Sequence, residues 1–374
     1  MINQTALDTL LEQYDTPLLI LSPNKVKKAY LELQDALPNV KLYYAVKSNS
    51  HPAIIQTLHE EGGYFDVCSN REVELMKSNN IPSQNCIHTH PIKNPSMIQT
   101  TIDFGIETFV IENTHELKKF AGKYDQVNLL VRLAIQNENA KANLSKKFGL
   151  SDEEEAISLL VQAKKLGVKK IGISFHCGSQ AIRPEIFNEA LYKCVYVVSK
   201  LKVQNINIDY LDIGGGFPAL SENDQMSIHD YCSVFTPALE FFRQNDIEII
   251  GEPGRYISAN SMLLVSRIIG KSVRNNQPWY YIDDGVYNSF TDKVYGNADY
   301  HLYFKSEDRE VFPSVIAGPT CDSIDIIKSD VLLPDLEIGS LLIFTQMGAY
   351  TSESASCFNG FEKTPIVVSD QIHF

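Results

Sequence analysis

The sequence is short of what several protein classes require. Its 374 residues include only seven cysteines (68, 86, 177, 194, 232, 321 and 357). They are odd in number and scattered, with no CxxC pair, so neither a disulfide framework nor a metal site is expected, and a reducing cytoplasm fits. No apolar run is long enough to span a bilayer. Met1-Ile2-Asn3-Gln4-Thr5 lacks a basic segment followed by an apolar core, so no signal peptide is expected. Gly/Ser-rich linkers and low-complexity tracts are missing too. Positive charge is in deficit: 33 Lys and Arg against 46 Asp and Glu give a net charge of −13. That argues against nucleic acid or an anionic membrane as partner and leaves a small-molecule substrate. With 44% apolar and 21% charged residues, the composition is that of an ordinary soluble globular protein.

What is present is a rhythm. Residues 17–21 read as a short strand, and 24–37 has helical spacing, with Val26, Tyr30, Leu33 and Leu37 on one face. Strand-like runs then recur at 42–46, 64–68, 85–89, 107–111, 127–134, 169–176, 207–213 and 247–252. Helical segments at 52–61, 70–79, 94–104, 114–123, 152–166, 184–202 and 229–245 lie between them. Eight β/α alternations of this length predict a (β/α)8 TIM barrel over residues 25–258. After Arg255 helical periodicity thins out. Residues 261–269, 278–283, 312–317, 341–346 and 365–368 read as strands divided by turns. The expected fold class is therefore α/β: a barrel plus a mainly β C-terminal domain, residues 1–24 and 259–374, that takes in the N-terminal strand.

In such a barrel the chemistry collects at the C-terminal ends of the strands. The central stretch is Leu42-Tyr43-Tyr44-Ala45-Val46-Lys47-Ser48-Asn49-Ser50, an apolar and aromatic run that ends on a lysine. A lysine at the mouth of a buried strand is costly unless it is paired or used. Burial favours the neutral amine, which can attack a carbonyl, so Lys47 is a candidate Schiff-base lysine. An isolated lysine would more simply snorkel to the surface. Lys47 is not isolated, because the other strand ends carry Asp66, His88 or His90, Glu112, Arg132, His176, Gly214-Gly215-Gly216 and Glu252.

Three glycines after a strand make either a tight turn or a row of bare N–H groups for a phosphate. Gly251-Glu252-Pro253-Gly254-Arg255-Tyr256 adds an arginine at the next strand end, in keeping with the phosphate site that barrels build after their last two strands. Glu252 either partners a basic residue or faces a pyridine nitrogen and keeps it protonated. His176 is either a hydrogen-bonded structural residue or a ring that stacks on another ring. Arg132 and Asp66 form either a structural ion pair or part of the shell around such a ring. A lysine, a phosphate cradle and a pyridinium partner together describe a pyridoxal phosphate site.

On these motifs the chain resembles the barrel-type (fold type III) pyridoxal phosphate-dependent decarboxylases of the ornithine/diaminopimelate/arginine decarboxylase family, above all compact ornithine decarboxylase-like members. The matching stretches are Tyr44 to Lys47, Phe65 to Ser69, Phe175 to Gln180, Asp212 to Pro218, Glu252 to Arg255, Tyr280 to Tyr287, Gly318 to Asp322 and Gly348 to Tyr350, in the family's order. The resemblance implies that Lys47 forms the Schiff base, His176 stacks on the cofactor ring and Glu252 pairs with its nitrogen. It implies a cofactor shell of Asp66, Arg132, Ser179, Gly214, Gly215, Gly216, Gly254, Arg255 and Tyr350, with Glu72 nearby. It further implies that Cys321 protonates the decarboxylated carbon and Asp322 binds the distal amine of a diamino acid. Both would act in the neighbouring subunit of a homodimer with two shared sites, in a role in polyamine biosynthesis.

Two positions depart from the family pattern. Tyr295 matches a substrate-side tyrosine, but Gly296 stands where ornithine decarboxylases carry an aspartate; Asp299, three residues on, could take its place. In Thr89-His90-Pro91 an asparagine is usual before the proline. Expected alternatives are a diaminopimelate- or carboxynorspermidine-type decarboxylase, an amino-acid racemase, or a non-catalytic cofactor-binding regulator. Glu252 argues against the racemase, whose family uses an arginine at the pyridine nitrogen. Lys47 argues against the regulator.

Overall fold

The structure is a computed structural model and describes residues 4–137, 140, 144–220, 224, 226–295, 298, 300–304 and 310–371. The chain divides into two units, Lys27–Ile257 and Met1–Val26 with Ser258–Phe374. A first short strand, β1 (Leu18–Leu21), precedes the helix Pro23–Ala36. Then come β2 (Val40–Ala45), β3 (Tyr64–Val67), β4 (Cys86–His88), β5 (Thr108–Ile111), β6 (Asn128–Leu133), β7 (Lys170–Phe175), β8 (Tyr210–Asp212) and β9 (Glu248–Gly251). All pair in parallel and close into a barrel, with β2 bonded to β9. Parallel strands covered on both faces read as nearly continuous apolar runs, which is why the sequence displays them.

The barrel interior is filled, not hollow. Tyr43, Ile87, Val110, Leu130 and Ile250, from five different strands, form one buried cluster with Tyr64 and Tyr210 packed against it. Side chains from strands around the whole ring can meet only inside it. Asp66, Arg132, Ser174 and Asp212 lie at, or one residue from, the C-terminal ends of their strands.

The helices largely follow the expected segments, with one break. Residues 229–245 hold two helices, Ile228–Ser233 and Thr236–Arg243. Pro237 in the first turn of the second has no N–H to continue the first.

The other unit is mainly β. Its strands are β1, β10 (Met262–Arg274), β11 (Gln277–Ile282), β12 (Leu302–Phe304), β13 (Phe312–Ala317), β14 (Ile326–Leu333), β15 (Leu341–Thr345) and β16 (Ile366–Val368). They run in the order β12-β15-β10-β11-β13-β14, with β1 antiparallel to β10 and parallel to β16. Strand β10 extends past the expected 269 because a two-residue hairpin follows it. Asn275 and Asn276 both take positive φ (51° and 61°), the turn that suits the twist of paired strands. Strand β14 and the helix Gln4–Gln13 were not expected from the sequence. In β14, Lys328 and Asp330 interrupt the apolar pattern, and Asp330 has a positive φ of 56°.

Candidate active site

Lys47 lies one turn beyond its strand. Strand β2 stops at Ala45, whose N–H bonds Pro253 O at 2.9 Å, and Val46–Ser48 coil into a 3-10 turn. The lysine ammonium donates to Asp66 Oδ2 at 2.8 Å and reaches Cys68 Sγ at 3.6 Å. Its side chain is 38% exposed, while that of Asp66 is wholly buried. The expected desolvated lysine is thus an ion-paired one, open on one side. Asp66 Oδ1 accepts from both Thr89 Oγ1 (2.7 Å) and Thr89 N (3.2 Å), so each oxygen of this buried carboxylate is held.

A second pair of carboxyl groups stands at the ends of β8 and β9. Asp212 accepts from Ser174 Oγ at 2.9 Å and from Gly214 N at 2.8 Å, and it shares a hydrogen bond with Glu252. Burial pushes the Glu252 carboxyl well above the usual carboxylate range, and the neighbouring Asp212 and Asp66 charges push it further. Asp212 is raised as well, mainly by burial. Two hydrogen-bonded carboxyls retain a proton between them.

Arg132, at the end of β6, faces Glu252, Glu112, Asp212 and Asp66, which counter the lowering of its pKa by burial. Phe148 covers its guanidinium, 5.4 Å from the ring centroid. Among the described residues that guanidinium makes no hydrogen bond or ion pair.

The glycine run passes where side chains cannot. A Cβ on Gly215 would lie 2.4 Å from Glu252 O and 3.3 Å from His176 Nε2. One on Gly216 (φ 102°) would meet Gly178 O at 2.3 Å. The Gly214 N–H is taken by Asp212, whereas those of Gly215 and Gly216 donate to nothing among the described residues. His176 lies alongside, its Nδ1 accepting from Gly178 N at 3.0 Å. Burial, with Arg132 and Lys47 as neighbouring cations, holds its pKa far below the ordinary value, so the ring is neutral. Gly254 packs on Ala45 and Ser48, beside the half-turn that carries Lys47, and Arg255 is buried just after it. Ser179 is half-buried in the loop after β7.

The two histidines of the fourth strand end separate. His88 is fully buried against Phe109, and among the described residues neither of its ring nitrogens has a hydrogen-bond partner. Burial and Lys93 lower its pKa to about 3, so it serves as a packed neutral ring. His90 is half-buried, its edge on Phe148 with centroids 5.6 Å apart. Glu112 holds the backbone next to Phe148 by accepting from Gly149 N at 2.6 Å, and Glu72 accepts from Cys68 N at 2.5 Å.

The remaining candidates belong to the β unit. Cys321 is exposed, and its N–H donates to Asn359 Oδ1 at 2.9 Å. Asp322 accepts from the Tyr287 hydroxyl and from Ile324 N, which hold its carboxyl below the usual range. Tyr295 is exposed, and Tyr350 takes a positive φ of 56°. Gly296 and Asp299 lie outside the described residues.

The family model for the pyridoxal binding domain of pyridoxal-dependent decarboxylases matches residues 23–259. This chain belongs to that family. The decarboxylase is 32% identical to the lysine/ornithine decarboxylase of Selenomonas ruminantium, over 98% of this chain and 93% of the relative. It is 34% identical to antizyme inhibitor 2 of Xenopus laevis, over 91% of this chain and 78% of that protein. Its fold superposes with a TM-score of 0.92 on the lysine/ornithine decarboxylase of Vibrio vulnificus solved with cadaverine, at 38% identity and 98% coverage of both chains.

The residues of this decarboxylase fit pyridoxal phosphate. Two free N–H groups in a cradle that admits no Cβ suit a phosphate. The Arg132 guanidinium suits an anionic oxygen, and the protonated carboxyl pair suits a ring nitrogen. When bound, the cofactor supplies an electron sink for negative charge at a substrate carbon. Asp212, Thr89 and Phe148 were not singled out in the sequence. Asp212 had a signal in its place just before the glycine run; the other two are tied to the site only through the fold.

Proposed function

We propose that this enzyme decarboxylates a basic diamino acid of the lysine or ornithine type, with Lys47 as the covalent anchor of the cofactor. The carrying observation is the Lys47–Asp66 pair, an ammonium fixed by a buried carboxylate at the barrel mouth. Glu252, backed by Asp212, pairs with the ring nitrogen. His176, neutral and beside the glycine run, stacks on the ring. Gly215, Gly216, Gly254, Arg255, Ser179 and Tyr350 hold the phosphate, and Arg132 holds an anionic oxygen of the cofactor.

Breaking the bond to the carboxylate releases CO2 and leaves its electron pair on the α-carbon. Cys321 returns a proton to that carbon, and solvent restores the thiol. Asp322, kept ionised by Tyr287 and Ile324, binds the distal ammonium. In this reading Cys321 and Asp322 act in the neighbouring site of a homodimer, within a reducing compartment that keeps Cys321 a thiol. The relatives named lysine/ornithine decarboxylase support the substrate class.

The test is CO2 release from L-lysine, L-ornithine, L-arginine, 2,4-diaminobutyrate, meso-diaminopimelate, carboxynorspermidine and glutamate. L-Lysine should lead and L-ornithine should follow it, because glycine stands at position 296 where ornithine decarboxylases carry an aspartate. Release from glutamate alone, or from none, would sink the reading; the second outcome would point to a regulator.

A further inference from the structure

Lys93 is a buried cation that the chemistry above does not use. It is 1% exposed and lies in the loop between β4 and the helix Pro95–Phe104. Its ammonium donates to three backbone carbonyls: His90 O at 2.8 Å, Pro91 O at 3.2 Å and Val110 O at 2.5 Å. The first two belong to its own loop and the third to β5. The lysine backbone is gripped from outside, its N–H by Glu116 Oε2 at 3.2 Å and its carbonyl by Lys119 Nζ at 2.5 Å. Glu116, Lys119, Glu112, Cys68, His88 and His90 are the titratable groups that act on or feel its charge. A flexible lysine buried this deeply gives up solvation and rotamer freedom, and three acceptors at one ammonium are what offsets that loss.

Lys93 sits four residues after Thr89, a loop residue that bonds the partner of Lys47. Thr89 precedes His90 and spends both of its donors on Asp66 Oδ1, while Asp66 Oδ2 takes Lys47. Three fixed links thus lead from Lys93 to Lys47: loop to β5, Thr89 to Asp66, Asp66 to ammonium.

We propose that Lys93 is a positioning residue for the cofactor lysine, acting by holding the β4 loop so that Thr89 orients Asp66. This rests on the reading of Lys47 as the anchor, and the experiment separates the two. Lys93→Met and Thr89→Val are made singly and together. Pyridoxal phosphate affinity is measured for each apoprotein, and the pH midpoint of the cofactor's visible absorption for each holoenzyme. Simple loss of stability would not move that midpoint.

Each single variant should weaken affinity on the order of tenfold, the scale of one lost hydrogen bond to a charged group, and both should shift the midpoint in the same direction. The double variant should be no worse than the worse single one, and Thr89→Ser should restore the wild-type midpoint. Effects that multiply, or a midpoint unmoved by Lys93→Met but moved by Thr89→Val, overturn the proposal. If Lys93→Met does not fold, Lys93→Gln carries the same cycle with smaller shifts, because its shorter, neutral amide offers two N–H donors for three carbonyls. Borohydride reduction and peptide mapping of the holoenzyme decide the prior reading. Label on another lysine defeats Lys47 as anchor; label on Lys47 with multiplying effects defeats Lys93 alone.

Discussion

Asp212 and Glu252 stand at the ends of neighbouring strands with their buried carboxyl groups hydrogen-bonded to each other. Such a pair holds a proton that a lone surface carboxylate would have lost at neutral pH. Glu252→Ala removes the proposed partner of the ring nitrogen but none of the groups assigned to the phosphate or the covalent bond. The variant should keep its cofactor colour and turn over about two orders of magnitude more slowly or worse, on the scale of electrostatic catalytic terms. Near-normal turnover at full cofactor occupancy would show that the ring nitrogen does not need this carboxyl.

Lys47→Ala should abolish the visible absorption that borohydride removes from the wild-type protein. The same variant should leave noncovalent cofactor binding measurable, because the cradle and Arg132 remain. Persistence of reducible absorption in Lys47→Ala would move the anchor elsewhere.

Gly215→Ala places a methyl 2.4 Å from Glu252 O, a contact that backbone must move to relieve. Overpacking of this kind costs roughly 1–3 kcal/mol, which corresponds to about 5- to 150-fold in cofactor affinity if the strain is released only in the apoprotein. Equilibrium titration of the apoprotein measures it. Affinity equal to wild type would mean that the run is an ordinary turn.

If sites are shared between subunits, inactive Lys47→Ala and Cys321→Ala proteins should regain partial activity when mixed. One site of each mixed dimer then receives both intact halves. Labelled subunits must first show that exchange occurs. Exchange without recovery would place Cys321 in its own subunit's site, or outside the chemistry.

Lys93 also makes a prediction about pH. Burial lowers its pKa from 10.5 to about 7, while the unfolded chain recovers the ordinary value. Between those values the unfolded state binds more protons, so this residue makes stability rise with pH through that window. Lys93→Met lacks the titrating group and should lose that part of the slope. Urea midpoints at about pH 7 and about pH 9.5 bracket most of the titration of an amine shifted from its ordinary value. Equal slopes in the two proteins would mean that Lys93 stays fully charged in the fold, its three carbonyls outweighing burial.

The barrel was legible because each parallel strand is buried on both faces and announces itself as an apolar run. Its polar ends were legible for the same reason: Lys47, Asp66, Arg132 and Glu252 each interrupt or end such a run. The glycine run showed where backbone alone must pass. Other features have no local signature. Thr89 and Asp66 are 23 residues apart and meet only because β3 and β4 are neighbours. Phe148 reaches Arg132 from a loop, and a lysine in a Pro-rich turn gives no hint that its amine is sealed inside. Strand β14 was hidden because Lys328-Ser329-Asp330 splits it into two apolar runs, each too short to read as a strand. His88 and His90 could not be told apart from sequence, because residues two apart share a face of an extended run, and only the end of β4 at His88 sets them apart.

The two neighbours of β1 are made in the wrong order for prompt assembly. Leu18–Leu21 leaves the ribosome early, but its partners are Met262–Val265 of β10 and Ile366–Val368 of β16. At roughly 5–20 residues per second, about 17–70 s separate the first of these strands from the last. All eight barrel strands are synthesised within that interval. A nascent chain therefore carries a fully apolar strand, Leu-Leu-Ile-Leu, with both edges unpaired while the barrel can already close. A chaperone that covers residues 18–21 during synthesis would shield that unpaired strand until β10 and β16 emerge.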